Sequence, residues 1–220
     1  MSGQLAGAVE IAVLDYGMGN RRSVEKAIEH IGARAIVSRD PAELRAAAGL
    51  VVPGVGAFPR AMESLRELGL DELLRERVAA GVPVLGVCLG MQLAFDHSSE
   101  QGGADGLGIL AGEVRALVTR GLKLPHIGWN EVRFAAAESP LVASLPQRPS
   151  FYHVHSFAPV PANEHDIIGT ADYGAPFVTA VQRGSFYGVQ FHPEKSSAAG
   201  LRLLANFAQI CLAARTPVAG

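Results

Sequence analysis

The 220-residue chain predicts an α/β fold: a central, mostly parallel sheet flanked by helices, with antiparallel strands added in the second half. Three observations carry that expectation. Up to Asp96, short apolar runs alternate with amphipathic helical patterns, the rhythm of a parallel sheet covered by helices. From Glu113 to Phe191 the texture changes to short strand-like runs broken by Pro and Gly, which suits antiparallel additions. At 49% hydrophobic and 18% charged, the composition supports a folded core and excludes a disordered chain.

In chain order, Val9–Asp15 is apolar enough for a buried parallel strand. Ser23–His30 reads as helix, with Val24, Ala27, Ile28 and Ile31 on one face. Ala33–Ser38 is a second strand. Asp40 is placed to cap a short helix with Pro41 at its first position. Leu50–Pro53 is a third strand, followed by a glycine-rich turn and a helix from Phe58. Val82–Val87 is a fourth strand, and Leu89–Asp96 reads as the helix after it. Ser98–Gly108 is expected to be a mobile glycine-rich loop. Phe186–Phe191 alternates as a late strand, and a final helix over Ser197–Ala213 packs back on the sheet with Cys211 buried. Thr216–Gly220 is read as a loose tail. No repeat or linker divides the chain, so a single domain spans residues 1–220, its core over roughly 10–213.

Catalytic loops in such sheets gather at the carboxyl ends of strands. Gly86-Val-Cys88-Leu-Gly90 lies at such an end, as a tight strand-to-helix turn and the thiol counterpart of a nucleophile elbow. The flanking glycines leave room for strain at Cys88. A helix N-terminus favours the thiolate there, and the Leu89 N–H is free to face a developing oxyanion. Gln92, one helical turn on, projects from the same face toward a substrate. The plain alternative is a buried structural cysteine; a second segment weighs against it. Pro193 biases His192 toward an extended backbone, which would point His192 and Glu194 to one side as base and orienting carboxylate. In the turn after the third strand, Gly54 and Gly56 allow backbone N–H groups to aim at an anion.

The remaining features mostly exclude. A formal net charge of -2 gives no reason to expect nucleic acid or an anionic membrane as partner. No run of apolar residues reaches membrane-spanning length, and the N-terminus does not read as a signal peptide. Two cysteines make no disulfide framework, and a reactive thiol favours the reducing cytoplasm. The histidines form no metal-ligand ladder, so neither metal nor cofactor is expected. Gly17-Met-Gly19-Asn20 lacks the third glycine of a dinucleotide fingerprint and reads as a turn or partner contact. Trp129 is either a core aromatic or an interface anchor.

Taken together, Pro53-Gly-Val-Gly56, Gly86-Val-Cys-Leu-Gly-Met-Gln92 and His192-Pro-Glu194 resemble the class I, triad-type glutamine amidotransferases. Asp15-Tyr-Gly-Met-Gly-Asn20, Lys123-Leu-Pro-His-Ile-Gly-Trp-Asn130 and Phe151-Tyr-His-Val-His-Ser-Phe157 narrow the resemblance to glutaminase subunits of imidazole glycerol phosphate synthase. The resemblance implies a three-layer, flavodoxin-like fold and a Cys88–His192–Glu194 triad that hydrolyses glutamine without a cofactor. It implies substrate and oxyanion contacts at Gly54, Val55, Gly56, Leu89, Gln92 and Ser156. It implies a separate (β/α)8-barrel synthase subunit, joined as a heterodimer through contacts at Asn20, Trp129 and Lys195, that receives the ammonia. Arg21, His153 and Phe157 depart from the usual pattern of that family. The alternatives are a glutaminase serving anthranilate, pyridoxal phosphate or GMP synthesis, a stand-alone Cys–His hydrolase of the same fold, and a binding subunit with a vestigial site.

Overall fold

The computed structural model describes residues 9–135 and 139–215; the tail read at Thr216–Gly220 lies outside them. The first half runs β1 (Glu10–Leu14), α1 (Arg21–His30), β2 (Arg34–Ser38), α2 (Pro41–Ala46), β3 (Gly49–Val52), α3 (Phe58–Glu67), α4 (Leu70–Ala79), β4 (Val84–Val87) and α5 (Leu89–Gln92). Short strands follow: β5 (Phe95–Ser98), β6 (Ala104–Asp105), β7 (Leu110–Ala116), β8 (His126–Glu131), β9 (Arg133–Phe134), β10 (Ser150–His155), β11 (Phe157–Pro161), β12 (Ile167–Asp172), β13 (Pro176–Arg183) and β14 (Phe186–Val189). The last element is α6 (Ser197–Arg215).

The main sheet has 8 strands in the order β2-β1-β3-β4-β14-β13-β12-β9. From β2 to β14 every pairing is parallel, and from β14 to β9 every pairing is antiparallel. The expected mixture is therefore present, with its changeover at β14. A 4-stranded sheet, β11-β7-β5-β6, and a β10-β8 pair complete the second half.

Side chains on a strand alternate between faces, and here both faces are covered. Ile11 and Val13 of β1 join Val24 and Ile28 of α1 and Leu203, Leu204 and Phe207 of α6. Ala12 and Leu14, pointing the other way, join Phe58, Met62 and Leu65 of α3 and Leu70, Leu73 and Leu74 of α4. The result is three layers, with each fully buried Leu or Phe contributing about 1.5–3 kcal/mol of transfer free energy. Asp40 does cap α2, its carboxylate accepting the Ala42 N–H at 2.8 Å. α6 is apolar enough by composition to cross a membrane, with mean hydropathy 1.3, but it seats Leu203, Phe207 and Cys211 against the sheet.

Two expectations fail in the segment after Cys88. The helix expected over Leu89–Asp96 is a single turn ending at Gln92, and Phe95 begins a strand paired with Leu110. The segment is buried almost all round, so its apolar residues show no period that would separate helix from strand. The supposed mobile loop at Ser98–Gly108 is a one-turn 3-10 helix, Glu100–Gly102, followed by β6. Its Gly106 allows close approach, since a Cβ there would lie 2.9 Å from the Leu93 carbonyl oxygen and 3.1 Å from the Phe58 ring.

Candidate active site

β4 ends at Val87, and the backbone turns sharply at Cys88 with φ 55 and ψ -109. A non-glycine residue in that region stores about 1–3 kcal/mol of strain, which the surroundings must hold. They do so through the Cys88 N–H, which donates to the Val189 carbonyl at 2.7 Å, and the Cys88 carbonyl, which accepts from Met91 and Gln92. A Cβ on Gly86 would lie 2.6 Å from the Gly90 carbonyl oxygen, and one on Gly90 would lie 2.8 Å from the Val52 carbonyl carbon. Strand and helix meet this closely only because both positions lack a side chain. The one-turn α5 is too short for the full dipole expected at Cys88. What it supplies is the Leu89 N–H, which reaches no protein acceptor among the described residues.

β14 is the parallel neighbour of β4, with Gly188 opposite Gly86 and Val189 opposite Val87. That register carries His192, just beyond the end of β14, to the neighbourhood of Cys88. The His192 N–H donates to the Tyr152 carbonyl at 2.9 Å, and the Ser196 hydroxyl donates to the His192 carbonyl at 2.6 Å. The extended arm expected at His192–Glu194 is not what brings the pair together. His192 alone is extended, and Pro193–Lys195 form a 3-10 turn that folds the carboxylate back. His192 Nδ1–H donates to Glu194 Oε1 at 2.9 Å, which leaves Nε2 for the thiol. Burial opposes the charged ring, but hydrogen bonds to Cys88 and Glu194 and the charges on both outweigh it and raise His192 to about 10.

A cavity of about 230 Å³ opens over Cys88. Five of the six expected substrate and oxyanion contacts line it: Val55, Gly56, Leu89, Gln92 and Ser156. Gly54 does not. It lies beneath the loop, where a Cβ would meet the Tyr16 hydroxyl at 2.6 Å and Leu89 Cβ at 2.9 Å. The fully buried Tyr16 hydroxyl donates to the Pro53 carbonyl at 2.6 Å; burial and the charge at Cys88 raise its pKa. Two further residues on the cavity wall, Glu100 and His155, were not picked out by the sequence reading. Glu100 Oε2 accepts the Phe58 N–H at the start of α3 at 2.9 Å, so the carboxylate is fixed at the cavity edge.

Beside the cavity sits a buried cluster of His126, His153 and His155. Burial, the largest effect, lowers the pKa of all three, with His155 held down at about 4. His153 is tied to the Phe151 carbonyl and the Thr179 hydroxyl, so this departure from the family pattern is absorbed in the core.

The three residues expected at a partner contact separate. Trp129 is 54% exposed and stands edge-on to Tyr152, over whose ring the exposed Lys195 places its ammonium at 6.0 Å. Ile127, two residues before Trp129 on β8, is exposed on the same strand face, and Leu122, Leu124 and Val118 are exposed as well. Asn20, in contrast, turns inward and donates to Glu194 Oε1 at 2.5 Å. Its left-handed backbone, φ 77, at the start of α1 makes that reach possible.

The family model for glutamine amidotransferase class-I matches residues 12–211. A HisH subunit of imidazole glycerol phosphate synthase from Moorella thermoacetica is 48% identical over 200 residues, covering 91% of this chain and 94% of the relative. The chain belongs to the class-I glutamine amidotransferase family, in its HisH branch. HisH subunits from Methylococcus capsulatus and Bacillus cereus are 47% and 48% identical, each over 90% of this chain and covering 94% and 93% of the relative. Among solved structures, a protein described as a GMP synthase subunit from Thermoplasma acidophilum superposes with TM-score 0.72 at 19% identity, covering 93% of this chain and 94% of that one. A second structure, titled a glutamine amidotransferase, gives TM-score 0.70 at 20% identity, covering 91% and 98%. These likenesses bear on the fold, which is that of class-I amidotransferases.

Proposed function

We propose that this HisH-type glutaminase hydrolyses glutamine at Cys88 and delivers the ammonia to a separate (β/α)8-barrel synthase subunit that makes imidazole glycerol phosphate. The observation that carries the reading is the line Cys88–His192–Glu194 beneath a cavity whose rim holds a fixed carboxylate, Glu100. Glutamine's α-ammonium suits Glu100, which sets its side-chain amide over the sulfur.

The chemistry follows from that placement. The Cys88 thiolate attacks the amide carbon, forming a C–S bond while the carbonyl π electrons move to oxygen. The Leu89 N–H, joined by one from the Val55–Gly56 loop, stabilises this oxyanion, and each such donor is worth roughly 10²–10³ in rate. As the oxyanion collapses the C–N bond breaks, and His192 gives its proton to the leaving nitrogen, so ammonia departs and a glutamyl thioester remains. Water then attacks the thioester with His192 as base. The C–S bond breaks, glutamate leaves and the thiolate returns. Glu194 keeps the imidazole in the tautomer this sequence needs. Trp129 and Lys195, on one exposed apolar face, are assigned to the synthase contact, and the whole reaction to the cytoplasm, where the thiol stays reduced.

The Cys88→Ala variant with the synthase subunit is the test. Glutamine-dependent synthesis should vanish while synthesis from ammonium salts continues. Retained glutamine use would reject Cys88 as nucleophile. Measured alone, the unaltered protein should hydrolyse glutamine more slowly than with its partner, and equal rates would reject coupling between the subunits.

A further inference from the structure

Gln190 is fully buried just beyond β14, and neither the triad nor the cavity wall accounts for it. Its N–H donates to the Thr179 carbonyl at 2.8 Å, which fixes the backbone. Its side-chain amide bridges the nucleophile and the Gln92 amide, beneath the cavity that both of those residues line. Nε2 is 3.6 Å from Cys88 Sγ, and Oε1 is 3.0 Å from Gln92 Nε2.

Counting hydrogens decides which way both amides face. The Phe157 carbonyl can only accept, and it lies 3.0 Å from the Gln92 amide, so Gln92 must present nitrogen to it. The second hydrogen of that NH2 points at Gln190, which must therefore answer with oxygen. The NH2 of Gln190 is then left facing sulfur. His155 fills the other lone pair of Phe157, donating Nδ1–H at 2.9 Å. Its Nε2 is thereby an acceptor for His126 Nδ1–H at 2.9 Å, and Asn130 donates to His126 in turn. Each link agrees with the next: flipping Gln190 would set donor against donor, and flipping Gln92 or Asn130 would set acceptor against acceptor.

We propose that Gln190 is a catalytic residue: its amide N–H donates to the Cys88 sulfur and favours the thiolate, while its oxygen locks Gln92 so that the Gln92 carbonyl oxygen faces bound glutamine. The inference rests on Cys88 being the nucleophile. Hydrogen bonds to a charged acceptor are stronger than those to a neutral one, so the contact stabilises the thiolate over the thiol, whose own hydrogen points at the Val154 carbonyl at 3.7 Å. His192 and Tyr16 are the titratable neighbours whose charge also couples to Cys88. With its nitrogen committed twice, Gln92 has only an acceptor for the ligand. The cavity therefore offers two acceptors, Gln92 Oε1 and Glu100, which suits the N–H groups of an amino acid amide.

The test reads the sulfur and needs no glutamine. Alkylation of Cys88 by iodoacetamide, followed by mass spectrometry of its peptide, is measured against pH for the intact protein and for Gln190→Met, which keeps the side chain's length and removes both polar groups. The half-maximal pH of alkylation should rise by about one unit in the variant. An unshifted profile in a folded variant would overturn the proposal. If the variant does not fold, the unaltered protein decides: the side-chain amide resonances of Gln190 should move with the same midpoint as Cys88 alkylation, and resonances silent through that midpoint would overturn it. A shifted alkylation profile in a protein that does not hydrolyse glutamine would support this assignment while rejecting the glutaminase reading.

Discussion

Replacing Gly90 by Ala adds one methyl group at the tightest seam of the elbow. The new carbon would lie 2.8 Å from the Val52 carbonyl carbon and 3.3 Å from its Cβ. Carbon atoms in contact need about 3.5–4.0 Å, so α5 must retreat from β3 by about 1 Å. Neither side yields easily. Val52 is paired across the sheet with Gly86, and the backbone at Gly90 and Met91 already presses against Gly86. Overpacking of this kind costs about 1–3 kcal/mol, which lowers Tm by about 2–4 °C for each kcal/mol in a chain of this size. The retreat also carries Cys88 away from His192, and a displacement of about 1 Å lowers turnover about 10²-fold. Gly81→Ala is the comparison: Gly81 has φ 77 but nothing within 4 Å of a built Cβ, so it bears the backbone penalty without the collision. Calorimetry and glutaminase assays with the synthase partner should find Gly90→Ala damaged in both stability and turnover, and Gly81→Ala in stability alone. A Gly90→Ala protein with unchanged Tm and full turnover would refute the account of the elbow.

Two more outcomes follow from the same geometry. Burial, opposed by the bond to the Phe157 carbonyl, holds His155 down at about 4, whereas the unfolded chain takes up that proton near 6.5. The His155 contribution to stability should therefore be complete above pH 6.5 and be lost as pH drops toward 4, by up to about 3 kcal/mol; His126 and His153 shift in the same direction, so urea unfolding at descending pH should show a summed slope that His155→Gln reduces, and an unchanged slope in the variant would remove His155 from the account. Trp129→Ala should leave the Tm of the lone subunit almost unchanged, because the ring is 54% exposed, yet weaken synthase binding at least about 30-fold if it anchors that contact; titration calorimetry showing equal affinity would remove Trp129 from the interface.

What could be read in advance was what is local. The Cys88 elbow is encoded by two glycines and a cysteine within a few residues, and backbone sterics alone require that combination. The first strands were legible for a similar reason: β1, β3 and β4 are short apolar runs set between amphipathic helices. Where burial is complete the pattern loses its period, so Leu89–Asp96 was misread as helix, and Ser98–Gly108 after it was misread as a loop. Glu100 was hidden inside that misread segment, although it caps α3 and borders the cavity. The bond from Asn20 to Glu194 was not legible, because nothing in a glycine-rich turn says which way an amide points. Gln190 left no trace of its function, because its partners, Cys88, Gln92 and Thr179, come from three distant stretches of chain.

Those stretches meet through strand register. Cys88 follows β4 and His192 follows β14, and the two strands lie side by side with Gly86 opposite Gly188. Both are glycines for a packing reason: α5 crosses above them, and a Cβ on Gly188 would lie 2.5 Å from Met91 Cγ. A slip of one residue between β4 and β14 would reverse the faces of Val87 and Val189 and break the bond from the Cys88 N–H to the Val189 carbonyl. The distance between sulfur and imidazole is thus set by how two buried strands pair, more than by any contact between the two side chains. The same pairing brings Gln190 under the sulfur, so one register places base, amide donor and nucleophile together.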